Sequence, residues 1–176
     1  MDNLLVLTAV GNDRPGIVDK LSMTILDNSC NILDSRMTVL GGEFAIMLLI
    51  SGKWNSLVKL EDGVSKMEQD LVLRITSTRT KQITATRKLM PYNVEVVAID
   101  HPGIVYKIAS FFSAREINIR ELNTTSYAAA HTGTEMFSML MTVDISSEIR
   151  IASLREEFIE FCDDLNVDAV LEPKNL

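Results

Sequence analysis

Cysteine and histidine are scarce in this chain. Cys30 and Cys162 are the only cysteines, and neither sits in a C-x-x-C pair. That count argues against a disulfide framework or a zinc cluster, and the two thiols read as small buried side chains. His101 and His131 stand far apart, too few for a metal site built on imidazoles. No apolar run reaches the length of a membrane span, and Met1-Asp2-Asn3-Leu4 has no basic flank of a secretory signal, so a cytoplasmic location is expected. Basic charge is also in short supply: 17 Lys and Arg stand against 24 Asp and Glu, a net charge of −7. A surface of that sign repels the phosphate backbone, which argues against direct nucleic-acid binding. There is no Walker loop and no Gly-rich dinucleotide fingerprint, and the carboxylates Glu156, Glu157 and Glu160 fall on an expected helix surface. No catalytic residue, metal or cofactor is expected, and the chain does not read as an enzyme.

What is present is a repeat. Asp13-Arg14-Pro15-Gly16-Ile17-Val18 returns as Asp100-His101-Pro102-Gly103-Ile104-Val105, five of six residues identical at an offset of 87, and Asn31-Ile32 returns as Asn118-Ile119. The apolar set Leu57, Leu60, Val64, Met67 matches Ile151, Leu154, Phe158, Phe161 at an offset of 94. The second copy therefore carries seven extra residues, assigned to Ala128-Ala129-Ala130-His131-Thr132-Gly133, where the first has Gly41-Gly42. The boundaries expected are 1–77 for the first domain, 78–90 for a basic linker and 91–176 for the second, with net charges of −3, +4 and −8. The linker, carrying Arg79, Lys81, Arg87 and Lys88, reads as a solvated connector or as a docking strip for an acidic partner.

Within each copy, a β-prone run such as Leu4–Val10 stops at a turn and passes into a helix, with Pro15 suited to the first helical turn. Two strands then flank the Gly41-Gly42 hairpin, a second helix carries the Leu57–Met67 stripe through Gly63, and Leu71–Ser77 closes the unit. The order βαββαβ predicts an α+β fold: two ferredoxin-like domains, each an antiparallel four-stranded sheet with both helices on one face. Because Phe44–Ile50 is apolar at every position, the face without helices needs a cover, from the twin copy or a second chain. Met136, Met139 and Met141 read chiefly as core.

The repeated turn has a physical use. A helix N-terminus offers unsatisfied N–H groups and partial positive charge, so it can hold a small carboxylate, and a glycine there lets the ligand come close to the backbone. Asp13 and Asp100 either cap the helix or meet an ammonium. His101 in place of Arg14 makes the two copies unequal.

The duplicated Asp-x-Pro-Gly-Ile-Val turn, the following Asn-Ile and the βαββαβ order resemble a tandem pair of ACT domains, small modules that sense amino acids. In the first copy, Ala9–Val18, Cys30–Arg36, Leu40–Phe44 and Ser51–Asn55 are similar to the glycine cleavage system transcriptional repressors. The resemblance implies a regulator without a DNA-binding domain, responsive to glycine or a similar small amino acid. It implies repression through protein contact with a LysR-type activator, and a homo-oligomer. Family ligand sites lie at domain interfaces, between the turn after the first strand and the start of a neighbour's second strand. On this sequence that marks Asn12, Asp13, Arg14, Gly16 and Ile17 with Asn31 and Ile32, and Asp100, His101, Gly103 and Ile104 with Asn118 and Ile119. The alternatives are a ligand-independent interaction scaffold and a regulatory subunit of an amino-acid metabolic enzyme.

Overall fold

A computed structural model describes residues 3–81 and 88–174. The chain divides into two units, Met1–Thr84 and Ala85–Leu176. In the first unit the elements are β1 (Asn3–Asn12), α1 (Ile17–Asp27), β2 (Asn31–Leu40), β3 (Glu43–Gly52), α2 (Trp54–Asp62), α3 (Val64–Leu71) and β4 (Arg74–Thr80). The second unit follows with β5 (Leu89–Ile99), α4 (Ile104–Ser113), β6 (Asn118–Ala128), β7 (Glu135–Ser146), α5 (Ile151–Asp164) and β8 (Asp168–Pro173). The sheets have matching orders, β2-β3-β1-β4 and β6-β7-β5-β8, with every pairing antiparallel. The predicted double ferredoxin-like α+β architecture is the one observed. Strands β4 and β5 run into the stretch read as a linker, whose centre, Arg87 included, lies outside the described residues.

Side-chain alternation places each core. Leu5, Leu7 and Ala9 of β1 and Phe44, Ile46, Leu48 and Ile50 of β3 turn toward Leu21, Ile25, Leu57 and Leu60 of the helices. Opposite them on β3, Ala45 and Leu49 are half-buried and Met47 is 53% exposed, so the all-apolar run does split between two faces. In the second unit Val94, Val96, Met139, Met141 and Val143 meet a cluster of four phenylalanines. Phe111 lies about 5 Å, ring centre to ring centre, from each of Phe112, Phe158 and Phe161. Met136 is half-buried on the other face of β7, separate from its two core neighbours.

Three local expectations need correction. The second helix of the first unit is interrupted at Gly63, although hydrogen bonds from Gly63 N to Lys59 O and from Met67 N to Gly63 O carry the winding across the break. Pro15 precedes α1 rather than forming its first turn, because Gly16 is the N-cap residue. The seven extra residues of the second copy are also distributed differently. The span between paired Asn118 and Asp144 is six longer than that between Asn31 and Ser51, and the seventh lies between β7 and α5. A bulge interrupts the ladder at Leu33, between Ile32 and Asp34, and again at Arg120, between Ile119 and Glu121.

Both thiols are free and buried. Burial pushes the Cys162 thiol up to about 12 from its ordinary 9.0, with the Asp163 carboxylate adding to the effect. Burial raises Cys30 as well, against a smaller opposing pull from Arg79. An unfolded chain ionises Cys162 from about pH 9 while the native chain keeps the proton, so this contribution to stability is intact below pH 9 and fades as pH climbs toward 12. A disulfide-exchange reagent at pH 8 is expected to label the two thiols quickly only in denaturant, and fast labelling of native protein would contradict the burial. Gly63 has right-handed angles (φ −78, ψ −11), so Gly63→Ala is expected to raise stability by up to about 1 kcal/mol in urea unfolding.

Candidate functional site

Each repeated turn is built on a left-handed glycine. Gly16 (φ 91, ψ −3) and Gly103 (φ 100, ψ −5) are the N-cap residues of α1 and α4, and neither helix receives a side-chain cap. A Cβ at either glycine would meet nothing within 4 Å, so the requirement for glycine comes from the backbone angle and not from crowding. The result is an uncapped helix N-terminus open to solvent, with the partial positive charge that attracts an anion.

The surrounding residues have settled roles. Asp13 and Asp100 do not cap: their N–H groups donate across the hairpin mouth to Gly42 O and Glu135 O. The Asp100 carboxylate accepts a hydrogen bond from Ser126 Oγ at 2.9 Å. Arg14 donates to the Leu71 carbonyl at the end of α3, tying the turn to the second helix pair. His101 has no such tie among the described residues, where its ring hydrogen-bonds only with the neighbouring Pro102 carbonyl, at 3.2 Å. Asn12 donates to Glu43 at 2.5 Å. Ile17 and Ile104 are core residues, 2% exposed each, and shape the helix start from beneath.

The other half of each candidate site lies elsewhere. Asn12 pairs with Glu43 at one end of β3, whereas Asn31 pairs with Ser51 near the other, eight residues on. At about 3.4 Å per strand residue the two are roughly 27 Å apart. Ile99 and Asn118 are separated in the same way by β7, from Met136 to Asp144. A single unit therefore does not bring turn and strand start together. Asn31 and Asn118 are exposed, while Ile32 and Ile119 pack against their cores. An open hollow of about 400 Å³ borders Asn118 and Ile119, walled by Ala109, Ser113, Glu116 and Ile117. Among the described residues no group of three or more His, Cys, Asp or Glu could hold a metal ion.

Reasoning from sequence missed Ser126 and the Leu71 carbonyl, the groups that occupy Asp100 and Arg14. Neither belongs to the repeated motif; only tertiary pairing brings them near.

The ACT domain family model matches residues 3–78, from the start of β1 into β4 of the first unit. Over 173 residues the chain is 31% identical to the glycine cleavage system transcriptional repressor of Escherichia coli (strain K12), spanning 97% of this chain and 90% of that one. The chain belongs to the glycine cleavage system transcriptional repressor family. Membership places it among regulators and outside the enzymes. A crystal structure assigned to a repressor of this family superimposes with a TM-score of 0.77 at 28% identity, covering 100% of this chain and 99% of that one. A crystal structure of a protein of unknown function from Galdieria sulphuraria gives a TM-score of 0.82 at 25% identity, with 99% and 100% covered. The second unit repeats the strand order and the turn, so the chain is a tandem pair of the same fold.

Because Gly16 and Gly103 sit at positive φ, Gly16→Ala and Gly103→Ala are each expected to cost about 1 to 2 kcal/mol of stability, read from urea midpoints. Substitution without loss would mean that the turn relaxes to another conformation.

Proposed function

We propose that this repressor-family chain is a cytoplasmic sensor of a small amino acid, glycine or one similar, that controls transcription by contact with a LysR-type activator and not by binding DNA itself. The observation that carries the reading is the duplicated turn: a left-handed glycine opening an uncapped helix, in both units of a chain from a regulatory family. The acidic balance, −7 overall, supports protein contact over contact with DNA.

The ligand carboxylate sits on the N–H groups at Gly16–Ile17 or Gly103–Ile104, with Asp13 or Asp100 facing its ammonium. Asn31 and Ile32, or Asn118 and Ile119, come from another module. The spacing within each unit supports that division, since turn and strand start stand at opposite ends of one sheet. A ligand that needs two modules stabilises their association. It acts on a partner by favouring one arrangement over another, typically by about 1 to 3 kcal/mol. Arg14 is held by Leu71 while His101 is not, which makes the second turn the more adaptable of the two.

The sole tryptophan, Trp54, is 62% exposed and lies three residues beyond Ser51, the strand partner of Asn31. Titration with glycine, serine and alanine is expected to give heat in calorimetry and a change in Trp54 emission. Asn31→Leu, at an exposed position, is expected to weaken binding at least about tenfold while leaving circular dichroism unchanged. No heat with any amino acid, from protein shown to be folded, would remove the sensor reading and leave a scaffold that binds its partner constitutively.

A further inference from the structure

Beside the first turn, and contained within one unit, is a cleft of about 450 Å³ that the regulatory reading touches only at Asn12. Its walls come from the end of β1 (Gly11, Asn12), the start of β3 (Glu43), the face of α3 (Glu68), the α3–β4 connection (Leu73) and the start of β4 (Arg74). The β1 backbone passes so close to the α3–β4 connection that a Cβ on Gly11 would lie 2.7 Å from Leu73 Cδ2 and 3.1 Å from Val72 O. Two carboxylates and one guanidinium line this space. Glu43 Oε1 accepts from Asn12, and Glu68 Oε1 accepts from the Ile75 backbone N–H at 2.8 Å. Those bonds fix the two side chains and leave the second oxygen of each without a hydrogen-bond donor among the described residues. Arg74 is exposed and forms no side-chain hydrogen bond or ion pair among the described residues, although two carboxylates border the same cleft.

The duplicate supplies an internal comparison. Strand register and the shared bond from the residue before β4 or β8 back to the helix (Leu73 N to Glu68 O, Val167 N to Cys162 O) fix the equivalent positions. Asn12, Glu43, Glu68 and Arg74 correspond to Ile99, Met136, Cys162 and Asp168. Gly11 corresponds to Ala98. Three polar positions have become apolar or thiol, the cation has become an anion, and the glycine has gained a Cβ. The fold is the same in both units, so this polar set is not what the fold requires at these positions.

We propose that the cleft of the first unit binds a free α-amino acid with a cationic side chain. Arg74 takes its carboxylate, and Glu43 and Glu68 take its two cationic groups. The charges decide the class: a wall set of −2 and +1 complements a ligand of +2 and −1 better than it does a simple zwitterion such as glycine. The site meets the turn-and-strand site of the sensor reading only at Asn12, uses none of the helix N–H groups of that turn, and needs no second module.

The test is calorimetry on the full chain with lysine and arginine as ligands, and with norleucine (no side-chain cation) and cadaverine (no carboxylate) as probes. Lysine or arginine is expected to bind, and both probes at least about tenfold more weakly, the usual scale for losing one charged hydrogen-bond partner. Arg74→Asp, the residue found at the matching position of the second copy, is expected to abolish binding. Glu68→Gln, which keeps the acceptor for Ile75, is expected to weaken it about tenfold. Lys66→Asp on α3 changes the charge equally outside the cleft and is expected to leave affinity within about twofold. Absence of heat with lysine and arginine at millimolar concentration would overturn the proposal. So would wild-type affinity in Arg74→Asp, or an equal loss in Lys66→Asp. Glycine binding and its sensitivity to Asn31→Leu are read separately, so either site can fail while the other stands.

Discussion

The backbone reversal at Gly16 and Gly103 is the constraint from which the rest follows. An extended strand passes into a helix across only four connecting residues, and an L-side chain at φ near 90° or 100° would strain that passage. The reversal lays α1 or α4 back over its own sheet, which puts Leu21 and Ile25, or Ile108 and Phe112, above the central strands. It also leaves the helix start without a side-chain cap, pointing outward at one end of the sheet. Core formation and an exposed, uncapped helix start thus come from one local geometry, and the turn is the best-kept segment of the duplication.

The copies have separated around that shared frame. The first holds its turn through Arg14 on the Leu71 carbonyl and keeps a charged cleft beside it. The second has His101 at that position, in contact with the neighbouring Pro102 carbonyl, secures Asp100 through Ser126, and fills its core with edge-on and tilted phenylalanines. Charge has moved in the same direction, since the segment from 91 onward carries −8 against −3 for residues 1–77. One unit keeps polar groups near its turn and the other has the more aromatic interior.

Much of this was legible in the residues. The offset of 87 gave the duplication, and the strand-turn-helix pattern of Leu4–Leu21 gave the βα start. Gly41-Gly42 gave the first hairpin, whose two residues both take positive φ. What stayed hidden depends on distance through space. Nothing in the spacing of Asn12 and Asn31 says that they stand at opposite ends of a sheet, because that follows from which edge β2 occupies. Asp13 and Asp100 looked like caps because the residue type favours capping, yet a left-handed glycine between them and the helix took that position. Glu43, Glu68 and Arg74 share no motif, since they reach one cleft from three different elements. Gly63 was read as a tolerated flaw within a continuous helix, and it is where the helix assignment breaks.

The bulges at Leu33 and Arg120 bear on how such a protein stays dispersed. β2 and β6 are long outer strands, each paired on one side only among the described residues, and a straight strand of that kind is a template for runaway addition of further chains. An extra residue near its beginning twists the strand and breaks the regular alternation of donors and acceptors. A foreign strand can then match only part of its length. The same irregularity, inherited twice, acts as a built-in safeguard against fibre growth in a molecule whose sheets are rich in valine, leucine, isoleucine and methionine.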